Sequence, residues 1–425
     1  MAGLNGKHNN LGKALEPDLE YDPVGQEVLE DPMPAYAQLR QHCPVHHFSG
    51  LENPMYSFAR YEDVQSVLLD PQTWSNRYGP GISYDRNVGD LQRYDPPDHQ
   101  VRRRFLRAQF LPRTVSAFEP AIRKLAHNLI DSFQNDGRVE IHDNYALPLP
   151  VKAFIELMGI PDEDSNQFKS WADDLTLGMT YPERSRDARK ALSSFTQELV
   201  IQRREMVADS DYTPDQDPVG DVVPEGLISH LACHPLEDGT YMPDAEVASM
   251  IGQLLVAGHE TTTSLITNTL WRLLLNPDQM TMIRETPALV ANAIEESLRF
   301  DPPVLGLCKT NNEPVVYHDV NIPENSKVMV LYASANRDPD VFESPDKFKV
   351  DRALIETKRH LSFGWGSHFC LGAHLARQTG GIALAVLLER FDQLQLLEPT
   401  KRVTPPFLWG RRKITVTWDG SSLNC

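Results

Sequence analysis

From Ala245 to Leu275 the chain carries its longest periodic pattern, apolar on most faces of the helix it would form. A helix that is apolar nearly all round has to be surrounded by other elements. The spacing therefore predicts a fold built about one long central helix, with Asp244 as a candidate cap and Asn276-Pro277 as its stop. A polar interruption lies inside it, Ala257-Gly258-His259-Glu260-Thr261-Thr262. Buried polar side chains are costly unless satisfied. A helical Thr tends to bond the carbonyl one turn back and bend the helix. The expectation is a local groove with a hydroxyl and a carboxylate at its edge.

Around this helix, helical spacing recurs near residues 34–42, 60–69 and 116–134. Tyr56-Ser57-Phe58-Ala59 and Val328-Met329-Val330-Leu331 read as short strands, and 209–224 as a surface loop. The inventory is mainly α with a minor β region. No Gly/Ser-rich linker divides the 425 residues, so the expectation is a polar, flexible segment over 1–25 and a single domain over 26–425.

Composition narrows the function. A formal charge of −18 argues against a general nucleic-acid binder. Hydrophobic residues make up 41% of the chain, and no apolar run reaches the ~18 residues of a membrane span. The stretch Met1 to Leu19 is polar, unlike a signal peptide or anchor, which suggests a cytoplasmic protein. Cys43, Cys233, Cys308, Cys370 and Cys425 are widely spaced, with no Cys-x-x-Cys pair and no disulfide framework.

One of these cysteines stands in a distinctive run, Phe363-Gly364-Trp365-Gly366-Ser367-His368-Phe369-Cys370-Leu371-Gly372. Glycines at 364 and 366 allow a tight turn. His368 offers a ring donor, and Gly372 removes a side chain where something flat can lie close. A helical pattern follows from Ala373, so the thiol falls at a helix N-terminus, where dipole and free N–H groups favour a thiolate. A thiolate in such a turn suits axial ligation of haem iron; the plain alternative is an inert buried cysteine.

This segment resembles the haem-binding loop of the cytochrome P450 superfamily in its bacterial soluble form. The resemblance covers roughly residues 30 to 418, with four separated motifs in the family's order. It implies a helix-rich triangular prism with a long helix over haem b, and Cys370 as the axial iron ligand. It implies further that Phe363, Gly364, Gly372 and Ala257 border the haem, and that His99, Arg103 and His368 hold its propionates. At a position where the family usually has Arg, this chain has Lys309, which lacks the bidentate fork. By the same resemblance Thr261 and Glu260 are the catalytic pair that delivers protons to dioxygen. Glu296, Arg299 and Arg352 correspond to a buried structural network.

The resemblance also implies a reaction and its partners. One atom of O2 enters a C–H bond of a small, neutral, hydrophobic substrate: a terpene, an aromatic hydrocarbon or a steroid. The variable segments Tyr78 to Tyr94, Leu175 to Tyr181 and Pro406 to Trp409 would shape the pocket, with Gln253, Val256, Ala257, Val304, Leu305 and Phe407 lining it. The sequence shows no reductase module, flavin fingerprint or iron–sulfur cysteines. Electrons are thus expected from a ferredoxin and its NAD(P)H-dependent reductase. Arg102, Arg104, Arg107, Lys358, Arg359 and Arg377 would form the basic docking patch, Arg102 and Arg104 lying on a solvated face. Two other readings are a peroxygenase driven by H2O2, which the Glu260–Thr261 pair argues against, and a non-catalytic haem sensor, for which no output domain is seen.

Overall fold

The computed structural model describes residues 20–53, 55–84, 91–161, 164–177, 182–213, 216–403 and 406–418. Residues 1–19 of the expected flexible segment lie outside these, as do parts of two of the three variable segments, 85–90 and 178–181.

The central helix runs Asp244–Leu275. Most of its buried apolar residues join two large cores. Met250, Ile251 and Leu255 join Leu199, Val200 and Leu231, while Ile266 and Leu270 join Tyr145, Val386 and Leu387. Helices Pro148–Met158, Pro182–Ala208, Val290–Phe300 and Ala373–Arg390 pack directly on it. Asn276 ends it, but Asp244 is not its cap. Pro243 occupies that position, and the Asp244 carboxylate is drawn instead into an ion pair with Arg204 of helix Pro182–Ala208.

The other periodic segments become helices Met33–His42, Tyr61–Leu69 and, for the third, two pieces, Pro112–Ala117 and Glu119–Asp131. The break falls just before Pro120, which has no N–H to continue a helical ladder. A five-stranded sheet forms the minor β region, in the order Val45–Phe48, Met55–Phe58, Lys327–Val330, Leu307–Asn311, Trp74–Ser75. Met55–Phe58 and Lys327–Val330 run parallel and the other pairs antiparallel. The fold is thus mainly α with a small sheet. Register sets Lys309 opposite Val328 in the middle of that sheet.

Two close approaches hold the cysteine segment in place. Helix Ala373–Arg390 meets the central helix at Gly380, where a Cβ would lie 3.2 Å from Leu265 and 3.3 Å from Ile294. At Gly366 a Cβ would lie 2.6 Å from the Leu68 carbonyl oxygen. Among the described residues no helix is long and apolar enough to cross a membrane, and Cys43, Cys233, Cys308 and Cys370 are free thiols.

Candidate active site

Gly364 and Gly366 adopt φ values of +68° and +70°, a region that L side chains enter only with strain. Those two turns fold the run back on itself, so that the Cys370 N–H donates to the Phe363 carbonyl at 2.8 Å. The Phe363 ring lies under the Arg377 guanidinium, 4.5 Å from its centre. Cys370 is half-buried. Burial pushes its thiol above the ordinary value, while the Gly372 N–H, Arg103 and Arg377 pull the other way. The helix N-terminus does favour a thiolate, through the Gly372 N–H, but in the bare chain desolvation outweighs it. A bound cation reverses that balance, because a coordinated thiol is deprotonated.

Beside the loop, one side holds an excess of donors. The His99 and His368 rings stack at 3.9 Å between centroids. His99 is 1% exposed, and neither of its ring nitrogens has a hydrogen-bond partner among the described residues. Burial, then Arg103 and Lys309, lower its pKa to about 4. Burial, then His99, Lys309 and Arg103, take His368 to about 2. Lys309 is buried and lowered to about 8 by desolvation, with Asp95 and Asp70 opposing. Arg103 donates to the Phe369 carbonyl at 2.6 Å, one residue before the cysteine.

The central helix is accessible where a buried helix should be covered. Ala257 is exposed, and Gln253, Val256 and Thr261 are half-buried. The Gln253 side-chain amide oxygen has no hydrogen-bond partner among the described residues. Thr261 donates its hydroxyl to the Ala257 carbonyl at 2.5 Å, the back-bond that the sequence predicts. Glu260, next in the chain, points into the core at 2% exposure. It accepts from Arg412 at 3.3 Å and from the Ser264 hydroxyl at 3.4 Å. Burial raises its pKa, against the pull of Arg412 and His142.

Glu296 lies between two guanidiniums. Arg299 donates to both of its oxygens at 2.8 Å and Arg352 donates at 3.1 Å. Arg299 continues to the carbonyls of Asn336, Pro345 and Lys347. The basic patch, by contrast, shrinks. Arg102 is not a solvated charge, since Glu246 pairs with it. Arg377 pairs with buried Glu295, which also accepts from His360. Arg104 pairs with Glu237 on the surface, leaving Arg107, Lys358 and Arg359 exposed. The pocket assignment of Leu305 is also corrected. It is 3% exposed within a core of Tyr36, Leu39, Leu331 and Trp409, and its N–H donates to the Phe407 carbonyl. Val304 and Phe407 are half-buried at the edge of that region.

Sequence reasoning missed Arg412 and His142 around Glu260, and the Glu295–His360–Arg377 cluster. The pair Glu295-Glu296 was a usable signal: two adjacent acids on an otherwise apolar helix face call for buried cations. Nothing local announces Arg412, which arrives on strand Arg411–Arg412.

These residues fit a haem. A half-buried thiol, an uncovered stretch of helix at Ala257, open space beyond Gly372 and the unpartnered nitrogens of His99 provide for an iron, a flat ring and its carboxylates. Such a combination, a cysteine loop framed by glycines and an accessible, hydroxyl-bearing stretch of a long helix, defines the class of the haem-thiolate oxygenases.

Comparison with known proteins agrees. The family model for cytochrome P450 matches residues 163–418. Cytochrome P450 107B1 of Saccharopolyspora erythraea is 36% identical over 85% of this chain and 88% of its own. The monooxygenase PikC of Streptomyces venezuelae is 32% identical over 95% of each. Among solved structures, the bacillaene polyketide synthase cytochrome P450 PksS of Bacillus subtilis superposes with a TM-score of 0.83 at 29% identity, covering 94% of this chain and 100% of that one. The chain belongs to the cytochrome P450 family, and so is a haem-binding monooxygenase.

Proposed function

We propose that this enzyme inserts one atom of O2 into a C–H bond of a neutral hydrophobic molecule of terpene to steroid size. Its electrons would come from a ferredoxin and an NAD(P)H-dependent reductase in the cytoplasm. The observation that carries the substrate class is the accessible stretch of the central helix. From Gln253 to Ala257 it offers apolar side chains and one amide, and no charged group to bind an acid. Relatives with names that specify a substrate include a vitamin D(3) 25-hydroxylase, 33% identical over 89% of this chain, and a 6-deoxyerythronolide B hydroxylase, 31% identical over the same share. CYP109E1 from Bacillus megaterium, solved with testosterone, has a TM-score of 0.80 at 28% identity.

Haem supplies oxygen activation when it is bound. In our reading Cys370 ligates its iron, while Phe363, Gly364, Gly372 and Ala257 border the ring. His99, His368, Lys309 and Arg103 hold its carboxylates, with Lys309 as a point charge rather than a fork. Thr261 presents a hydroxyl on the accessible side of the helix. Glu260, kept protonated more readily by burial, holds a proton behind it. Gln253 orients the substrate, and Val256, Val304 and Phe407 close around it. The exposed Arg107, Lys358 and Arg359 meet the acidic ferredoxin.

A spin-state screen of terpenes, aromatics and steroids, followed by turnover of the strongest ligand under isotopically labelled O2, tests this. The expected product carries one labelled oxygen and needs ferredoxin, reductase and NAD(P)H together. Product formed with H2O2 alone at an equal rate, or a spectral shift with no product, overturns it.

A further inference from the structure

At the far end of the central helix, Trp271 and Arg272 line a cavity of about 300 Å³. Trp271 is ten residues beyond Thr261, about 15 Å along the helix axis, so this cavity is separate from the groove at Ala257. Phe300, Arg337, Trp409 and Arg411 form its other walls, together with Glu30, Asp31 and Met33 from the junction of helices Gln26–Glu30 and Met33–His42.

Three arginines reach the cavity, and one buried carboxylate lies among them. Asp301 is 0% exposed. It accepts from both Nε and Nη2 of Arg272, the latter at 3.0 Å, and from the Trp409 indole N–H at 3.1 Å. Arg337 stands 3.6 Å from the same carboxylate and donates to the Phe300 carbonyl at 2.8 Å. Arg411 is left over. Its guanidinium carbon lies 3.8 Å from the centre of the Trp271 ring and 4.6 Å from that of Trp409. Its backbone is anchored, the N–H reaching the Thr267 hydroxyl on the central helix at 3.4 Å. Among the described residues, however, none accepts a hydrogen bond from its side chain or forms an ion pair with it, and its Nε is buried without a partner. Burial lowers its pKa to about 10, with Asp301 opposing, so the group is charged at neutral pH.

Stacking on an aromatic face holds a guanidinium in plane and uses none of its N–H groups. Two parallel N–H donors then match a carboxylate. Two further features narrow the ligand. Glu30 and Asp31 are exposed on the cavity wall, so a second negative charge would meet like charge. Met33, Phe300 and the two indoles offer apolar and aromatic surface, as ligand cavities usually do. We propose that this cavity binds a small aromatic monocarboxylate, its carboxylate on Arg411 and its ring against the apolar wall, at a site distinct from that of the substrate.

Titration of the haem-loaded enzyme with benzoate, followed by saturation-transfer NMR, tests this. Benzamide supplies the same shape without charge, and phthalate adds a second charge. Benzoate should bind saturably at millimolar concentration or below, leave the haem absorption band in place, and bind at least about tenfold more tightly than either analogue. Arg411→Gln should weaken benzoate at least about tenfold with haem content unchanged. Glu30→Gln, a change at an exposed position, should bring phthalate about twofold closer to benzoate. No saturable binding, equal binding of benzamide, or unaltered benzoate binding in Arg411→Gln overturns the site. Benzoate that shifts the haem band and persists in Arg411→Gln sits in the substrate groove instead, and overturns it equally. If Arg411→Gln fails to load haem, the Glu30→Gln comparison decides: an unchanged ratio of phthalate to benzoate affinity overturns the proposal.

Discussion

Thr261 and Glu260 are neighbours in the chain with opposite surroundings. Thr261 spends its hydroxyl on the Ala257 carbonyl, at the accessible side of the helix. Glu260 is held in the core by Arg412 and Ser264. Removing the hydroxyl leaves an apolar methyl there and, on the proposed reading, takes away the donor through which protons are delivered. Thr261→Ala should keep NAD(P)H consumption within about twofold while product per NAD(P)H falls about tenfold or more and H2O2 rises. Unchanged coupling would remove Thr261 from proton delivery. Cys370→Ser should abolish the thiolate-type band of the reduced carbon monoxide complex, and an unchanged band would refute the ligand assignment. The Cys370 run was readable because its chemistry is local: two glycines, a histidine and a thiol at fixed offsets. The Arg412 partnership was not, because the choice of a buried acid's cation is made by whichever strand packing delivers.

At the scale of elements, the length and apolar girth of Asp244–Leu275 were written in its periodicity, and so were helices Met33–His42 and Tyr61–Leu69. Its start was misread, because Asp244 had a competing partner, Arg204, 40 residues away in the chain. The cysteine loop shows why turn chemistry reads better than capping. At Gly366 the positive φ and the 2.6 Å approach to Leu68 both exclude a Cβ. Gly366→Ala should therefore cost about 2 kcal/mol or more, seen as a lower thermal midpoint and incomplete haem loading. A fully loaded variant of native stability would show that the loop can shift away from Leu68.

At the scale of the whole molecule, several of the buried charges sit in paired clusters. Arg299 is 0% exposed and holds Glu296 and three carbonyls. Arg299→Met should destabilise by about 3–5 kcal/mol in urea unfolding. A loss below about 1 kcal/mol would mean that Arg352 alone satisfies Glu296. The His99–His368 pair makes a pH prediction. Both rings have folded pKa values far below 6.5, about 4 and about 2. Below pH 6.5 the unfolded chain takes up protons that the folded one refuses, so this stability is present above that pH and lost as pH falls. Each ring contributes up to about 1.4 kcal/mol per pH unit. The haem-free protein should lose thermal stability steeply between about pH 6.5 and 5. Haem should flatten that slope, because its carboxylates give both rings a counter-charge. Equal slopes with and without haem would count against carboxylates beside this pair.

The contact between Gly366 and Leu68 also bears on how the protein matures. It joins two segments far apart in sequence, so the cradle for the pigment cannot close until the later of them has left the ribosome. Colour should then not appear before Gly366 has been made, and fragments that lack either partner should stay pale.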